Sequence, residues 1–187
     1  MANKTKKIDN CTSQILSFVS EKNIKIVRAM PNLPASVGKG VKGYYITKNL
    51  NINEEKNVFT LLSSFGKAIY LENEALIDVV TAISGSGPAY IFYLIEVLSK
   101  IGKNQGLDEK DAKSLAVETL IGSAKLLEKS NLDAQTLRHN VTSSGGTTEA
   151  GLEILASEQY GLYSLLKSTV QSLSLIHISE PTRLLSI

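Results

Sequence analysis

Along this chain the spacing of apolar residues changes once, near Glu74, and that change limits the folds it can adopt. Before Glu74, short β-branched runs alternate with helical stretches. Ile24-Lys25-Ile26-Val27-Arg28-Ala29-Met30 reads as a strand stopped by Pro31 and Pro34, because proline cannot donate to a ladder. Val41 to Thr47, with Tyr44 and Tyr45, reads as a second strand, and Ala68-Ile69-Tyr70-Leu71 as a third. Between them Asn53-Glu54-Glu55 opens a helix that runs through Phe59, Leu61 and Leu62 to Gly66. Ile15 to Val19 reads as the end of an earlier helix. Strands separated by helix or loop in this order predict an α/β layer with a parallel sheet.

After Glu74 no further strand pattern appears. Ala75 to Ile83 reads as a helix ending at a Ser84-Gly85-Ser86-Gly87 turn, and Pro88 suits the first position of the next helix. There Ile91, Leu94, Ile95, Leu98 and Ile101 recur at helical spacing, and the segment stops at Gly102 to Gly106. Asp108 caps a third helix with Ala112, Leu115, Ala116, Leu120, Ala124 and Leu127 on its apolar positions. A last helix is predicted from about Thr148 to Leu173. Val79, Val80, Ile83, Ile91, Phe92, Leu94, Ile95, Val97 and Leu98 cannot all face one small core. A helix wetted on one side shows a wider polar face. The expectation is a homodimer that covers the remaining faces, with an enclosed central helix as the alternative.

Composition narrows the function classes. The net charge is +2, and no basic run is interleaved with aromatics, which argues against nucleic acid. The single cysteine, Cys11, excludes an intrachain disulfide and a multi-cysteine metal site. His139 and His177 stand far apart, so no metal is expected. No apolar run approaches the ~18 residues of a membrane span. Cys11-Thr12-Ser13-Gln14 breaks any signal-peptide core behind Lys4, Lys6 and Lys7. A soluble cytoplasmic protein is the expectation.

One stretch carries chemistry. In Arg138-His139-Asn140-Val141-Thr142-Ser143-Ser144-Gly145-Gly146-Thr147-Thr148-Glu149, hydroxyl residues and two adjacent glycines precede a helix. Short side chains let a ligand approach the backbone closely. The free N–H groups and dipole of a helix start favour an anion such as a small carboxylate. Two other motifs precede it: Val27-Arg28-Ala29-Met30-Pro31-Asn32-Leu33-Pro34 at a strand end, and Ser84-Gly85-Ser86-Gly87-Pro88-Ala89-Tyr90 between helices. Taken in order, the three motifs resemble those of the pyrroline-5-carboxylate reductases, over roughly Ile24 to Leu173.

The resemblance implies an α/β remnant of a Rossmann domain in residues 1–73, then an all-α dimerisation domain, a helical bundle, in 74–173. It implies reduction of the C=N bond of 1-pyrroline-5-carboxylate to L-proline by NADPH or NADH, in a homodimer or larger homo-oligomer. Ser143, Gly145, Gly146, Thr147 and Thr148 would bind the substrate carboxylate, with Thr148 also catalytic beside the ring nitrogen. Met30, Pro31 and Asn32 would border the nicotinamide, Asn140 and Val141 would approach it from the partner subunit, and Ser84, Gly85 and Ser86 would line the cleft. The protein's part is orientation and charge stabilisation.

The chain also departs from that pattern. Ser144 replaces the family's usual proline, which loosens the loop, and Asn131-Leu132-Asp133-Ala134 lacks a His-Pro pair. No glycine precedes Ile24, so the Gly-x-Gly-x-x-Gly turn that holds a dinucleotide pyrophosphate is not in this sequence. The expectation is a truncated Rossmann domain with impaired cofactor affinity and little activity alone. Residues 174–187 resemble translated sequencing-adapter DNA, a non-native tail. Two alternatives remain: a non-catalytic helical dimerisation module, and a β-hydroxyacid dehydrogenase relative. The latter needs a lysine soon after the glycine-rich turn, whereas Pro88-Ala89-Tyr90-Ile91-Phe92 follows and the first lysine is Lys100.

Overall fold

A computed structural model describes residues 25–47 and 50–179, the last six as backbone alone. Cys11, the helix end at 15–19, Ile24 and residues 180–187 lie outside the described residues. Three strands, β1 (Val27–Met30), β2 (Gly40–Ile46) and β3 (Gly66–Tyr70), form one sheet in that order. β1 and β2 are antiparallel, with Met30 opposite Gly43, while β2 and β3 are parallel, with Gly43 opposite Ile69. The expected all-parallel sheet is therefore corrected to a mixed one. A parallel crossover needs about a dozen residues or more. Residues 31–39 are fewer than that and fold into a 3-10 turn, Leu33–Val37, closed by Gly38 at φ 71°. The chain can only reverse there.

Helix α1 (Ile52–Ser63) supplies the longer crossover to β3. It starts from Asn51 rather than Asn53, through a reciprocal cap. Asn51 Oδ1 accepts the Glu54 N–H at 3.0 Å, and Glu54 Oε2 accepts the Asn51 N–H at 2.7 Å. Lys25 Nζ donates to the same carboxylate at 2.6 Å. The Lys25 bond first, and the Asn51 N–H second, hold the Glu54 carboxyl below its ordinary pKa.

Successive residues of β2 face opposite sides of the sheet. Gly43 faces α2 (Leu76–Val80): a Cβ there would lie 2.7 Å from Val80 Cγ2 and 3.0 Å from Leu71 Cδ1. Lys42 points the other way and is only 1% exposed. Its Nζ donates to the Leu62 carbonyl in the last turn of α1 and sits 3.9 Å from the Phe65 ring centroid. A cation is favoured at a helix C-terminus and over an aromatic face, yet burial lowers its pKa below 10.5. Between the lowered value and 10.5 the unfolded chain binds more protons than the native one, so stability rises with pH in that window. Lys42→Met has no such titration. Its stability relative to the unsubstituted chain should fall steadily as pH rises through the alkaline range, read from urea midpoints. A difference that stays flat with pH would contradict this account of Lys42.

Beyond the sheet the described chain is helical. α2 does not end in a turn at Ser84–Gly87 as expected; it widens into a π-helical run, Thr81–Gly85, and then continues as α3 (Gly87–Asn104). α4 (Glu109–Lys129) is capped by Asp108, whose side chain accepts the Lys110 N–H at 2.9 Å. A short helix with no expectation in the sequence, α5 (Ala134–Asn140), follows an Asp133 cap. The Thr136 N–H, the largest cause, draws the Asp133 carboxyl below its ordinary pKa. The single last helix expected from Thr148 to Leu173 is instead two, α6 (Thr147–Leu155) and α7 (Leu162–Ser179). A tight turn separates them, closed by the Gly161 N–H on the Ser157 carbonyl at 2.8 Å. No helix among the described residues is long and apolar enough to cross a membrane.

These elements form two compact units. One holds the sheet, α1, α2 and the π-helical run up to Pro88, with the stretch from Val170; the other is Ala89–Thr169. Tyr44, Leu71, Ile77 and Ala82 are the buried apolar residues of the first. In the second, among the described residues, only Ala112, Ala116 and Gly161 are buried, while Phe92 and Leu115 stay more than half exposed. Gly102 lets α3 approach α4, since a Cβ there would lie 3.1 Å from Ala112 Cβ. Beside that contact lies a groove of about 790 Å³ lined by Ile91, Phe92, Ile95, Val117, Leu120 and Ile121.

Candidate active site

In the first unit the end of β1 meets the π-helical run. Asn32 is extended, at φ −131° and ψ 164°, where the 3-10 turn begins, but it does not cap that turn. Its amide is used elsewhere. Oδ1 accepts the Val41 N–H at 2.9 Å, and Nδ2 donates to the Ser84 carbonyl at 3.2 Å. The Met30 methyl packs against Gly85 so closely that a Cβ on Gly85 would lie 2.7 Å from it. Ser86 N–H closes the π turn on the Thr81 carbonyl at 2.8 Å, and Thr81 Oγ1 donates to the Ile77 carbonyl at 2.8 Å. Ser84 Oγ is buried and has no hydrogen-bond partner among the described residues. Met30, Asn32, Ser84 and Gly85 are thus brought together.

In the second unit, α5 ends at Asn140 and leads into the hydroxyl-rich loop. Thr142 Oγ1 donates to the Arg138 carbonyl at 2.7 Å and so serves the preceding helix end. Ser143 to Gly146 form a tight turn, with the Gly146 N–H on the Ser143 carbonyl at 3.0 Å and Gly145 at φ 72°. A positive φ at the third turn position calls for glycine, and proline suits the second, which Ser144 occupies. Gly146 also has little room for a side chain, because a Cβ there would lie 2.9 Å from the Ser143 carbonyl oxygen, which the turn holds in place. Gly146 is the N-cap of α6 and makes no side-chain cap bond, so Thr147 and Thr148 occupy the first helical positions without capping it. Asn140, Val141, Ser143, Gly145, Thr147 and Thr148 are all exposed. The helix start presents hydroxyls and N–H groups to solvent, a surface suited to a small anion.

One participant escaped the sequence reading. Glu149 Oε2 accepts the Gly145 N–H at 2.6 Å and so fixes the turn from within α6. The signal was present: a glutamate three residues after the cap is the spacing of a capping box. The π-helical run was also missed. Thr81, Gly85 and Pro88 mark where regular helical bonding fails, but their spacing mimics a simple turn.

A small sheet leading into helices, with a glycine-rich loop at a helix start, defines the class: an α/β layer joined to a helical region. Residues 74–174 match the family model for pyrroline-5-carboxylate reductase dimerisation, and the chain belongs to that family. A pyrroline-5-carboxylate reductase of Haemophilus influenzae is 39% identical over 136 residues, covering 72% of this chain and 50% of the relative. One from Staphylococcus aureus is 34% identical over 172 residues, covering 88% and 62%. The chain therefore spans about half to three fifths of these relatives. The solved pyrroline-5-carboxylate reductase from Coxiella burnetii superposes with a TM-score of 0.77 at 31% identity, over 83% of this chain and 57% of that one. A Plasmodium falciparum pyrroline carboxylate reductase with NADP bound superposes at 0.73 and 34% identity, over 84% and 61%.

Proposed function

We propose that this chain works in the NAD(P)H-dependent reduction of 1-pyrroline-5-carboxylate to L-proline, and that residues 143–148 hold the substrate carboxylate. The observation that carries this reading is the Ser143–Thr148 turn, whose glycines, exposed hydroxyls and uncapped helix start make an anion cradle. Ser143 and Thr147 donate to the carboxylate through their hydroxyls, with the N–H groups of Thr147 and Thr148 at the helix start, while Gly145 and Gly146, whose own N–H groups close the turn, leave room for it to approach. Thr148 lies toward the ring nitrogen and orients it as the C=N bond becomes an amine. The names of the relatives and the NADP-bound neighbour support the substrate and cofactor.

NADPH or NADH, when bound, would supply the hydride that goes to the imine carbon, and solvent water would supply the proton that the ring nitrogen takes up. The residues present fit its nicotinamide end, because the Met30 methyl rests on a side-chain-free Gly85 and leaves a flat apolar edge at the end of a strand. Met30, Pro31 and Asn32 form that edge, Ser84, Gly85 and Ser86 line the cleft, and Asn140 and Val141 reach it from a partner subunit. We divide the chain accordingly, with the cofactor side in residues 1–73 and the substrate and dimerisation part in 74–173. A homo-oligomer in the cytoplasm completes the reading. The groove lined by Ile91, Phe92 and Ile95 on one side and Val117, Leu120 and Ile121 on the other is the apolar surface that a second copy would cover.

The test joins residues 25–174 behind the N-terminal half of the Haemophilus influenzae relative. That chimera should oxidise NADPH and form L-proline from 1-pyrroline-5-carboxylate. A folded chimera that binds NADPH but forms no proline would sink the proposal.

A further inference from the structure

The Ser84 carbonyl has lost its usual helical partner. In a regular helix the N–H four residues on would donate to it, but that residue is Pro88, which has no N–H. Burying a carbonyl without a donor is costly, so a second donor is needed. Asn32 provides it from a different element, with Nδ2 on the Ser84 carbonyl at 3.2 Å. The same amide accepts the Val41 N–H at 2.9 Å, so one side chain ties the end of β1, the start of β2 and the π-helical run. With both its oxygen and its nitrogen engaged inside the protein, the Asn32 side chain is committed to the fold.

We propose that Asn32 is a positioning residue, standing in for the N–H that Pro88 lacks and setting the π-helical run Thr81–Gly85 against the end of β1. Its action is on Ser84 and Gly85: it fixes the Ser84 carbonyl and keeps Gly85 under the Met30 methyl. This rests on the reading above only where it makes the Ser84–Ser86 run part of the reductase cleft. π-Helical turns are rare and recur at functional sites, which fits a turn held by a dedicated brace.

Asn32→Asp isolates the brace in the 187-residue chain. A carboxylate still accepts the Val41 N–H but cannot donate to the Ser84 carbonyl, whereas the protonated acid can do both. Site-resolved amide exchange, expressed as protection factors, reads the two sides of the brace separately: Val41 N–H donates to the Asn32 oxygen itself, and Ser86 N–H closes on Thr81 the π-helical turn that Asn32 Nδ2 holds through the Ser84 carbonyl. Near neutral pH the variant should lose at least about tenfold of the protection at Ser86 N–H and keep that at Val41 N–H. At about pH 4, near the ordinary aspartate pKa of about 3.9, protection at Ser86 should return toward that of the unsubstituted chain. Arg28, Glu74 and Asp78 on the neighbouring elements are common to both proteins and cancel in the comparison.

Ser86 protection that survives at neutral pH, or that falls together with Val41 and does not return in acid, overturns the proposal. Should N32D fail to fold, the double variant with Pro88→Ala should fold, since the alanine restores an N–H that can meet the Ser84 carbonyl. Failure of that double variant also overturns it. None of these results depends on turnover, so NADPH oxidation by the chimera judges the reductase reading separately.

Discussion

Replacing Gly66 by alanine is expected to unfold the sheet or to cost at least about 3 kcal/mol of stability. Gly66 opens β3 at φ 123°, a conformation that residues with a side chain rarely adopt. A Cβ there would lie 1.9 Å from the carbonyl oxygen of Gly40, its parallel partner on β2. Gly40 has little room to give way, since it is hemmed in so closely that a Cβ on it would lie within 3 Å of Ala35 and the Phe65 carbonyl. Gly38→Ala is the control: its φ is 71° but nothing lies within 4 Å, so only the left-handed backbone cost of about 1–2 kcal/mol applies. Urea unfolding of both variants checks the contrast. Equal losses would mean that φ alone, rather than the approach of β3 to β2, governs Gly66.

Thr148→Ala should lower kcat/KM for imine reduction by about 100-fold in the chimeric enzyme, with the thermal midpoint nearly unchanged. The separation of the two effects follows from the structure. Thr148 lies at the second position of α6, is exposed, and does not cap it; Gly146 holds the cap position. Alanine is the better helix former there, so the fold loses little. On the proposed reading, what goes is the hydroxyl that orients the ring nitrogen. Full kcat in a folded T148A enzyme would remove Thr148 from the chemistry, and a matching loss of stability would make it a structural residue.

Much of this was legible in the residues, for identifiable reasons. The change of pattern at Glu74 marked the move from sheet to helices, because period-2 and period-3.6 burial leave different spacings. The α4 start at Asp108 was readable because a cap is a local bond between neighbours. The Ser143–Thr148 loop was readable because adjacent glycines and hydroxyls have few uses apart from close backbone approach. Non-local features were not. The direction of β1 against β2 depended on how residues 31–39 fold. The break between α6 and α7 is local, the Gly161 N–H closing on the Ser157 carbonyl, but a lone glycine inside a helical pattern is tolerated often enough to hide it. Lys42 lies within the predicted strand Val41–Thr47, where nothing local marks it, yet the fold buries it between the end of α1 and Phe65. The Asn32 brace joins residues far apart in sequence, and only the fold reveals that Pro88 leaves the Ser84 carbonyl needing it.

The central claim is that the loop at the start of α6 recognises a carboxylate on a five-membered nitrogen ring. Amide NMR of the chain titrated in parallel with L-proline and with pyrrolidine, the same ring without the carboxylate, tests it most directly. The account predicts saturable shifts at Gly145, Gly146, Thr147 and Thr148 with L-proline and none there with pyrrolidine. Equal shifts with both, or no shift at these four amides with L-proline, would contradict it.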